Sequence, residues 1–268
     1  MPVSGPDVLL YEKKSVPGAQ GKIVVMTMNR PERMNAVSTE LRERLADAWE
    51  RFDAEDDAWV GIITGAGDKA FCVGQDLAER AERDKAGINA YEAFGTMRES
   101  TPPWISKPVI AAINGFAVGG GWKIAQACDI RIAVEHAEMG ISETRWNLTA
   151  GWVCDLTRQL SLGHALEIAL WGDRRISAKR AYEIGWLNRV VPREKLMEEA
   201  MSWAERMLYL GPRSVRNIKE ILYRCYYMPP EEGRRYAANL EKSVAGMEDT
   251  LEGPRAFAEK RSPEFKNR

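Results

Sequence analysis

Short runs of β-branched and aliphatic residues recur through the first half of the chain, with helix-patterned segments between them. Lys22 to Met28 (KIVVMTM) ends in the turn Asn29-Arg30-Pro31, and Trp59 to Thr64 (WVGIIT) in Gly65-Ala66-Gly67-Asp68. Pro108 to Asn114 (PVIAAIN) runs into a glycine-rich turn, and Ile130 to Val134 is a fourth run. Shorter ones lie near Ala70–Cys72 and Met139–Ser142. Continuous apolar runs of this length suit strands covered on both faces. Between the first two, Ser38-Thr39-Glu40-Leu41 supplies an N-cap and an early acidic residue, and Leu41, Leu45, Ala48 and Phe52 then recur at helical spacing. A second helix is expected from about Trp122 to Cys128, and the polar stretch Asp76–Ala90 reads as loop and helix. Strands that alternate with helices need crossover connections, which are right-handed, so the chain is expected to be α/β with a mainly parallel sheet.

From Leu156 onward the pattern is almost purely helical, broken at Gly172-Asp173, Gly185, Pro192, Gly211-Pro212 and Pro229-Pro230. The expected organisation is an α/β core over residues 1–200 and a C-terminal helical region over 201–268. In that region Trp203, Leu208, Leu210, Ile218 and Leu222 form an apolar face suited to burial between subunits.

Charge excludes little. With 38 basic against 39 acidic residues the net charge is −1, which gives no reason to expect a nucleic-acid or membrane-surface partner. No apolar run approaches the roughly 18 residues of a membrane span. The start, MPVSGPDVLLYEKK, lacks the basic and apolar regions of a secretory signal, and the ending FKNR is no peroxisomal address, so the expected location is the cytoplasm. Cys72, Cys128, Cys154 and Cys225 show no CxxC spacing and are expected to be buried and reduced. Two histidines, His136 and His164, leave no room for a His-rich metal site and argue against a Ser-His-Asp triad. No metal is implied.

Two segments can carry chemistry. Gly119-Gly120-Gly121 lies between a strand and a helix, where unpaired N–H groups and the helix dipole favour negative charge. A tight strand-to-helix turn accounts for the same glycines. The spacing is not GxGxxG and lacks GK[ST], which disfavours nucleotide binding, and a Rossmann-type dehydrogenase is set aside on the same ground. In Lys69–Leu77 (KAFCVGQDL) a glycine follows a short strand, and the next residue can turn its N–H outward. Alone this is a turn. Two N–H donors on separate loops, however, are what an oxyanion hole requires.

Together these segments resemble the crotonase (enoyl-CoA hydratase/isomerase) superfamily. Ala70–Leu77 is similar to its "AFxxGxDL" segment and Lys107–Gly121 to its "KPVIAAxNGxAxGGG", in the same order. Asn29–Ala36 matches "NRPxxxNA", Cys128–Ala133 matches "CDxRxA", and Phe257–Phe265 matches "FxEKRxPxF". The matches run from about residue 20 to the end of the chain. The resemblance implies a spiral of ββα units with C-terminal helices that drive trimerisation, as a homotrimer or a dimer of trimers. It implies an acyl-CoA substrate whose thioester oxygen would rest on the backbone N–H groups of Gln75 and Gly120. CoA is then part of the substrate, and no separate cofactor is implied. Arg33, Ala36, Asp76 and Leu77 would lie along the CoA, while Phe257 and Lys260 would approach its nucleotide part, commonly on a neighbouring subunit. A solvated charge accounts for Lys260 equally well.

Family hydratases hold one water between two glutamates, one in "GGGxE" and one in the loop after "FGxxE". The second site is present here, where Met139-Gly140-Ile141-Ser142-Glu143 places Glu143. The first is not, because Gly121-Trp122-Lys123 puts Lys123 at that position. An ammonium beside Glu143 lowers the carboxylate pKa. Lys123 is expected to pair with Glu143, to hold a substrate anion or donate a proton, or to snorkel out of the pocket. Asp155 is a weaker candidate for a second acid and reads first as a helix cap near Leu156.

The family's isomerases use essentially one glutamate at the Glu143 position, so the residues present favour double-bond isomerisation or an atypical hydration. Acyl-CoA hydrolysis, C–C cleavage or catalytically silent acyl-CoA binding are the alternatives. The family's "PGxGG" stretch is replaced by Ala150-Gly151-Trp152-Val153-Cys154. Trp146 and Trp152 there either narrow the acyl pocket, suit a flat ring-containing acyl group, or serve ordinary packing.

Overall fold

The computed structural model describes residues 7–87 and 98–268. Its core is a spiral in which each turn gives one strand to a large sheet and the next to a small one. β3 (Ala58–Gly65) and β4 (Ala70–Cys72), β5 (Val109–Ile113) and β6 (Phe116–Val118), and β7 (Ile130–Val134) and β8 (Glu138–Gly140) are three successive such pairs. β3, β5 and β7 lie side by side and parallel in the large sheet, with Ile62 opposite Ile110 and Ile110 opposite Ile130. β4, β6 and β8 repeat that order in the small sheet. The large sheet is completed by β1 (Leu9–Ser15), antiparallel to β2 (Lys22–Met28), and by β10 (Arg189–Val191) beyond β7. β9 (Ile176–Ser177) closes the small sheet antiparallel to β8. All eight residues of β3 and all five of β5 are buried, which explains why these strands read as unbroken apolar runs.

Helix α1 (Thr39–Ala54) makes the crossover from β2 to β3. The Ser38 hydroxyl caps it by accepting from the Leu41 N–H at 3.1 Å, a bond of about 1 kcal/mol. Leu41, Leu45, Ala48, Trp49 and Phe52 are buried on its inner face. Its last carbonyls are held from outside the helix. The buried Lys107 ammonium donates to the carbonyls of Phe52 (2.5 Å) and Glu55 (2.7 Å). Two motif asparagines also knit loops. Asn35 donates to the carbonyls of Ala66 and Ala70, and Asn114 to those of Gly65 and Gly67.

Helix α2 (Leu77–Lys85) follows β4, and α3 (Gly120–Gln126) follows β6, starting and ending two residues earlier than the sequence pattern implies. The part of the Asp76–Ala90 reading beyond residue 87 lies outside the described residues, as does the start of the N-terminal segment. Glu143–Trp146 and Gly151–Arg158 are 3₁₀ turns, and α4 (Leu162–Leu170) and α5 (Ala178–Glu183) come next.

Helix α6 (Leu196–Leu208) runs through residue 200, where the division between core and helical region was expected. Its stripe of Leu196, Ala200, Ala204 and Leu208 is buried, and it packs across β3, β5 and β7. Leu208 and the half-buried Trp203 thus belong to the chain's own core, which corrects the expectation that both serve a subunit interface. Leu210, Ile218 and Leu222 are exposed, as that expectation requires. α7 (Pro212–Cys225) and α8 (Pro230–Lys242) pack on one another, and α9 (Glu248–Ala258) ends the helical part. Among the described residues no helix is long and apolar enough to cross a membrane.

Candidate active site

The loop after β4 is pinned by a single parallel bridge to the start of α1. The Val37 N–H donates to the Gly74 carbonyl (2.8 Å), and the Asp76 N–H donates to the Val37 carbonyl (3.1 Å). Successive peptide groups in extended backbone face opposite sides, so this bridge turns the Gln75 N–H away from Val37. On that other side stands the start of α3. A Cβ built on Gly74 would lie 3.0 Å from the Gly120 nitrogen, and one built on Gly120 would lie 3.7 Å from the Gln75 nitrogen. Gly120 is the first residue of its helix, where no intrahelical acceptor exists. Neither the Gln75 nor the Gly120 N–H donates to any acceptor among the described residues. The expected pair of donors is therefore present, adjacent and open.

Two of the three glycines are dictated by geometry. Gly119 adopts φ 57°, ψ −119°, a conformation essentially closed to residues with a Cβ, and its N–H is engaged by the Gly140 carbonyl. A Cβ on Gly121 would stand 1.9 Å from the Cys72 carbonyl oxygen, so the helix can approach β4 only without a side chain there.

Glu143 begins the 3₁₀ turn after β8 and reaches back over Gly119. A Cβ on Gly119 would meet its carboxylate oxygens at 3.2 and 3.5 Å. Oε2 is buried and has no hydrogen-bond partner among the described residues. Burial pushes the Glu143 pKa above its ordinary value. The backbone N–H groups of Glu143 and Ser142 and the charge of Lys123 act the other way and do not offset it. The lowering expected from Lys123 is thus overridden by desolvation. Lys123 pairs elsewhere, its Nζ lying 2.5 Å from Oε2 of Glu99, a carboxylate that no sequence motif picks out.

Glu143, Lys123, Glu99, Gln75 and Gly120 line one cavity of about 630 Å³ together with Ala36 and Leu77. Trp146 and Trp152 form part of its wall, and Arg145 and Arg174 also line it. These arginines carried no motif signal. The other expected residues lie apart. Asp76 is buried, caps α2 and pairs with Arg30 at 3.0 Å, so its carboxylate is engaged within the chain. Arg33 is exposed on a 3₁₀ turn (Pro31–Arg33). Phe257, 87% exposed, and Lys260 lie at the end of α9 and do not line this cavity.

Asp155 is not a cap. It sits inside a 3₁₀ turn, 3.6 Å from Arg158, and α4 is capped instead by Ser161. It lines a second cavity, of about 400 Å³, that shares Lys123 and Trp152 with the first but not Glu143. Of the cysteines, Cys72 and Cys128 are buried, with burial pushing both thiols up to about 12, whereas Cys154 is exposed, contrary to expectation. All four are free. Among the described residues no group of three or more His, Cys, Asp or Glu is placed to hold a metal ion.

The profile of the enoyl-CoA hydratase/isomerase family matches residues 18–268. The chain belongs to that family. It is 36% identical to the enoyl-CoA hydratase EchA19 of Mycobacterium tuberculosis, over 99% of this chain and 98% of the relative. It is also 36% identical to an (E)-benzylidenesuccinyl-CoA hydratase of Thauera aromatica, over 91% and 95%. A crystal structure of an enoyl-CoA hydratase from M. tuberculosis H37Rv superposes with a TM-score of 0.87 at 30% identity, covering 98% of this chain and 100% of that one. The spiral, the paired sheets and the C-terminal helices are thus those of an enoyl-CoA hydratase/isomerase family enzyme. Within the family's "GGGxE" pattern this member carries Lys123, and the structure joins that lysine to Glu99.

Proposed function

We propose that the protein adds water reversibly to the α,β double bond of an acyl-CoA thioester. The observation that carries this reading is the pair of open N–H donors at Gln75 and Gly120 in the same cavity as the buried Glu143. Thioester chemistry at Cα or Cβ places negative charge on the carbonyl oxygen, and two fixed donors stabilise that oxyanion without reorganisation. Glu143, with its pKa raised by burial, is suited to deliver a proton to Cα and to remove it in reverse. Relatives bearing hydratase names support water as the co-substrate. The tryptophans at 146 and 152 favour a flat, ring-containing acyl group against the cavity wall.

The test is a panel of enoyl-CoA esters, aliphatic and aryl-substituted, followed by mass spectrometry. A gain of one water is expected, lost in Glu143→Gln. A second reading, double-bond isomerisation, is favoured by the lysine at the "GGGxE" position, which leaves Glu143 as the carboxylate over Gly119. It predicts unchanged mass with a shifted double bond. Release of free CoA, or no turnover with any ester, would count against both.

A further inference from the structure

We infer that Glu99, held by Lys123, is the second carboxylate of the reaction. This rests on the hydration reading above. Water addition divides most simply between one group that activates the water and another that serves Cα, and the "GGGxE" position holds a lysine. Glu99 nevertheless lines the same cavity, 2.5 Å from that lysine's Nζ. Its side chain is 63% exposed at the cavity rim, but the backbone that carries it is held. On one side Arg98 is tied to α1 through Asp47 at 2.5 Å, Glu50 at 2.7 Å and Glu43 at 3.3 Å. On the other, the carbonyl of the buried Ser100 accepts from the Trp49 indole at 3.1 Å. The backbone carrying Glu99 is therefore anchored on both sides to the helix that packs on the sheet. Lys123 stems from α3, the helix that also presents the Gly120 donor. Lysine at this position thus moves the carboxylate from the helix to the facing loop and keeps it by an ion pair.

A water held by Glu99 gives its proton to that carboxylate as its oxygen bonds to Cβ. The π electrons of the double bond pass to the thioester, whose oxyanion rests on the Gln75 and Gly120 N–H groups. The carboxylic acid of Glu143 then protonates Cα. Glu99 is left protonated and Glu143 ionised, and solvent returns the proton as product leaves. Lys123 touches no reacting atom in this scheme and is a positioning residue.

The experiment compares two reactions of the same protein. Water addition is measured with whichever panel enoyl-CoA the native protein hydrates fastest. Exchange of the α-protons of butyryl-CoA in D₂O is measured by mass spectrometry, because it needs only the N–H pair and Glu143. Glu99→Gln should lower kcat for hydration about 10²–10⁴-fold, the usual worth of a general base, and leave exchange within a few-fold of native. Glu99→Asp should recover part of the loss. Lys123→Met should lower hydration kcat with little change in KM. Hydration unchanged in Glu99→Gln overturns the assignment and leaves the oxyanion-hole reading standing. Equal loss of exchange and hydration also overturns it, since Glu99 would then act on the whole site. A native protein that exchanges but hydrates no ester overturns it in favour of isomerisation. One that does neither defeats the functional reading itself.

Discussion

At the residue scale, the site depends on backbone more than on side chains. Gly120 is the first residue of α3, where proline is compatible with the helix because the N–H makes no intrahelical bond. A Cβ there would stand 3.3 Å from the Gly74 Cα, so Gly120→Pro adds some strain; it should remove one oxyanion donor and lower turnover about 10²–10³-fold, as judged by kcat on the best panel substrate. An unaltered kcat in a folded variant would show that the thioester oxygen sits elsewhere. Glu143 offers a test independent of substrate. Its folded-state pKa is raised by burial, so the folded protein holds that proton more tightly than the unfolded chain does. The associated stability is present below the ordinary carboxylate pKa of 4.5 and is lost as pH rises through the raised folded-state value. Glu143→Gln removes this dependence. Its Tm should exceed that of the native protein at neutral pH, and the gain should shrink toward zero below about pH 4.5. A gain of the same size at pH 4 and pH 7 would mean that desolvation of Glu143 is not its cause.

At the scale of elements, the sequence was most legible where a strand is buried on both faces. β2, β3, β5 and β7 announce themselves as apolar runs, and Ser38 marks the start of α1. β6 was invisible because Phe116–Val118 sits inside a glycine-rich motif and only three residues pair. β1 alternates buried and exposed positions along a charged edge strand, so no apolar run betrays it. In the site, Gln75, Gly120 and Glu143 lie within local sequence motifs, and the structure brings them to one cavity. Glu99 lies in no motif, and its pairing with Lys123 arises only when the loop folds against α3. Lys107 illustrates how a motif residue can serve an element and not the chemistry. It stands at the entrance to β5 and holds the C-terminal carbonyls of α1. Burial, and then the charge of Arg216, pull its pKa down to about 8 from an ordinary 10.5. Between those values the unfolded chain binds the proton more strongly, so stability should rise as pH goes from 8 to 10.5. Denaturant melts of native protein and Lys107→Met across that range should show the rise in the former and a flatter profile in the latter. Parallel profiles would place the amine in contact with water.

At the scale of the molecule, the described helices leave apolar faces uncovered. Ile218, Leu222 and Tyr226 recur every four residues from α7 onward, 58%, 69% and 57% exposed. Leu162, Leu166 and Leu170 make a second such stripe on α4, at 63%, 46% and 59%. Spacing of four along a helix gathers each set on one face, and contiguous apolar faces of this kind mark association surfaces in proteins that fold alone. Their position outside the spiral, on helices that already pack inward through other residues, fits copies of the chain meeting through these faces. The expected state by light scattering is a trimer or a hexamer at micromolar concentration. Leu222→Lys with Ile218→Lys places two charges on the α7 stripe without touching the cavity that holds Glu143, so it should dissociate the assembly while leaving far-UV circular dichroism unchanged. If the native chain is monomeric at micromolar concentration, or if the double variant retains the native mass, the α7 stripe is not the surface on which the subunits meet.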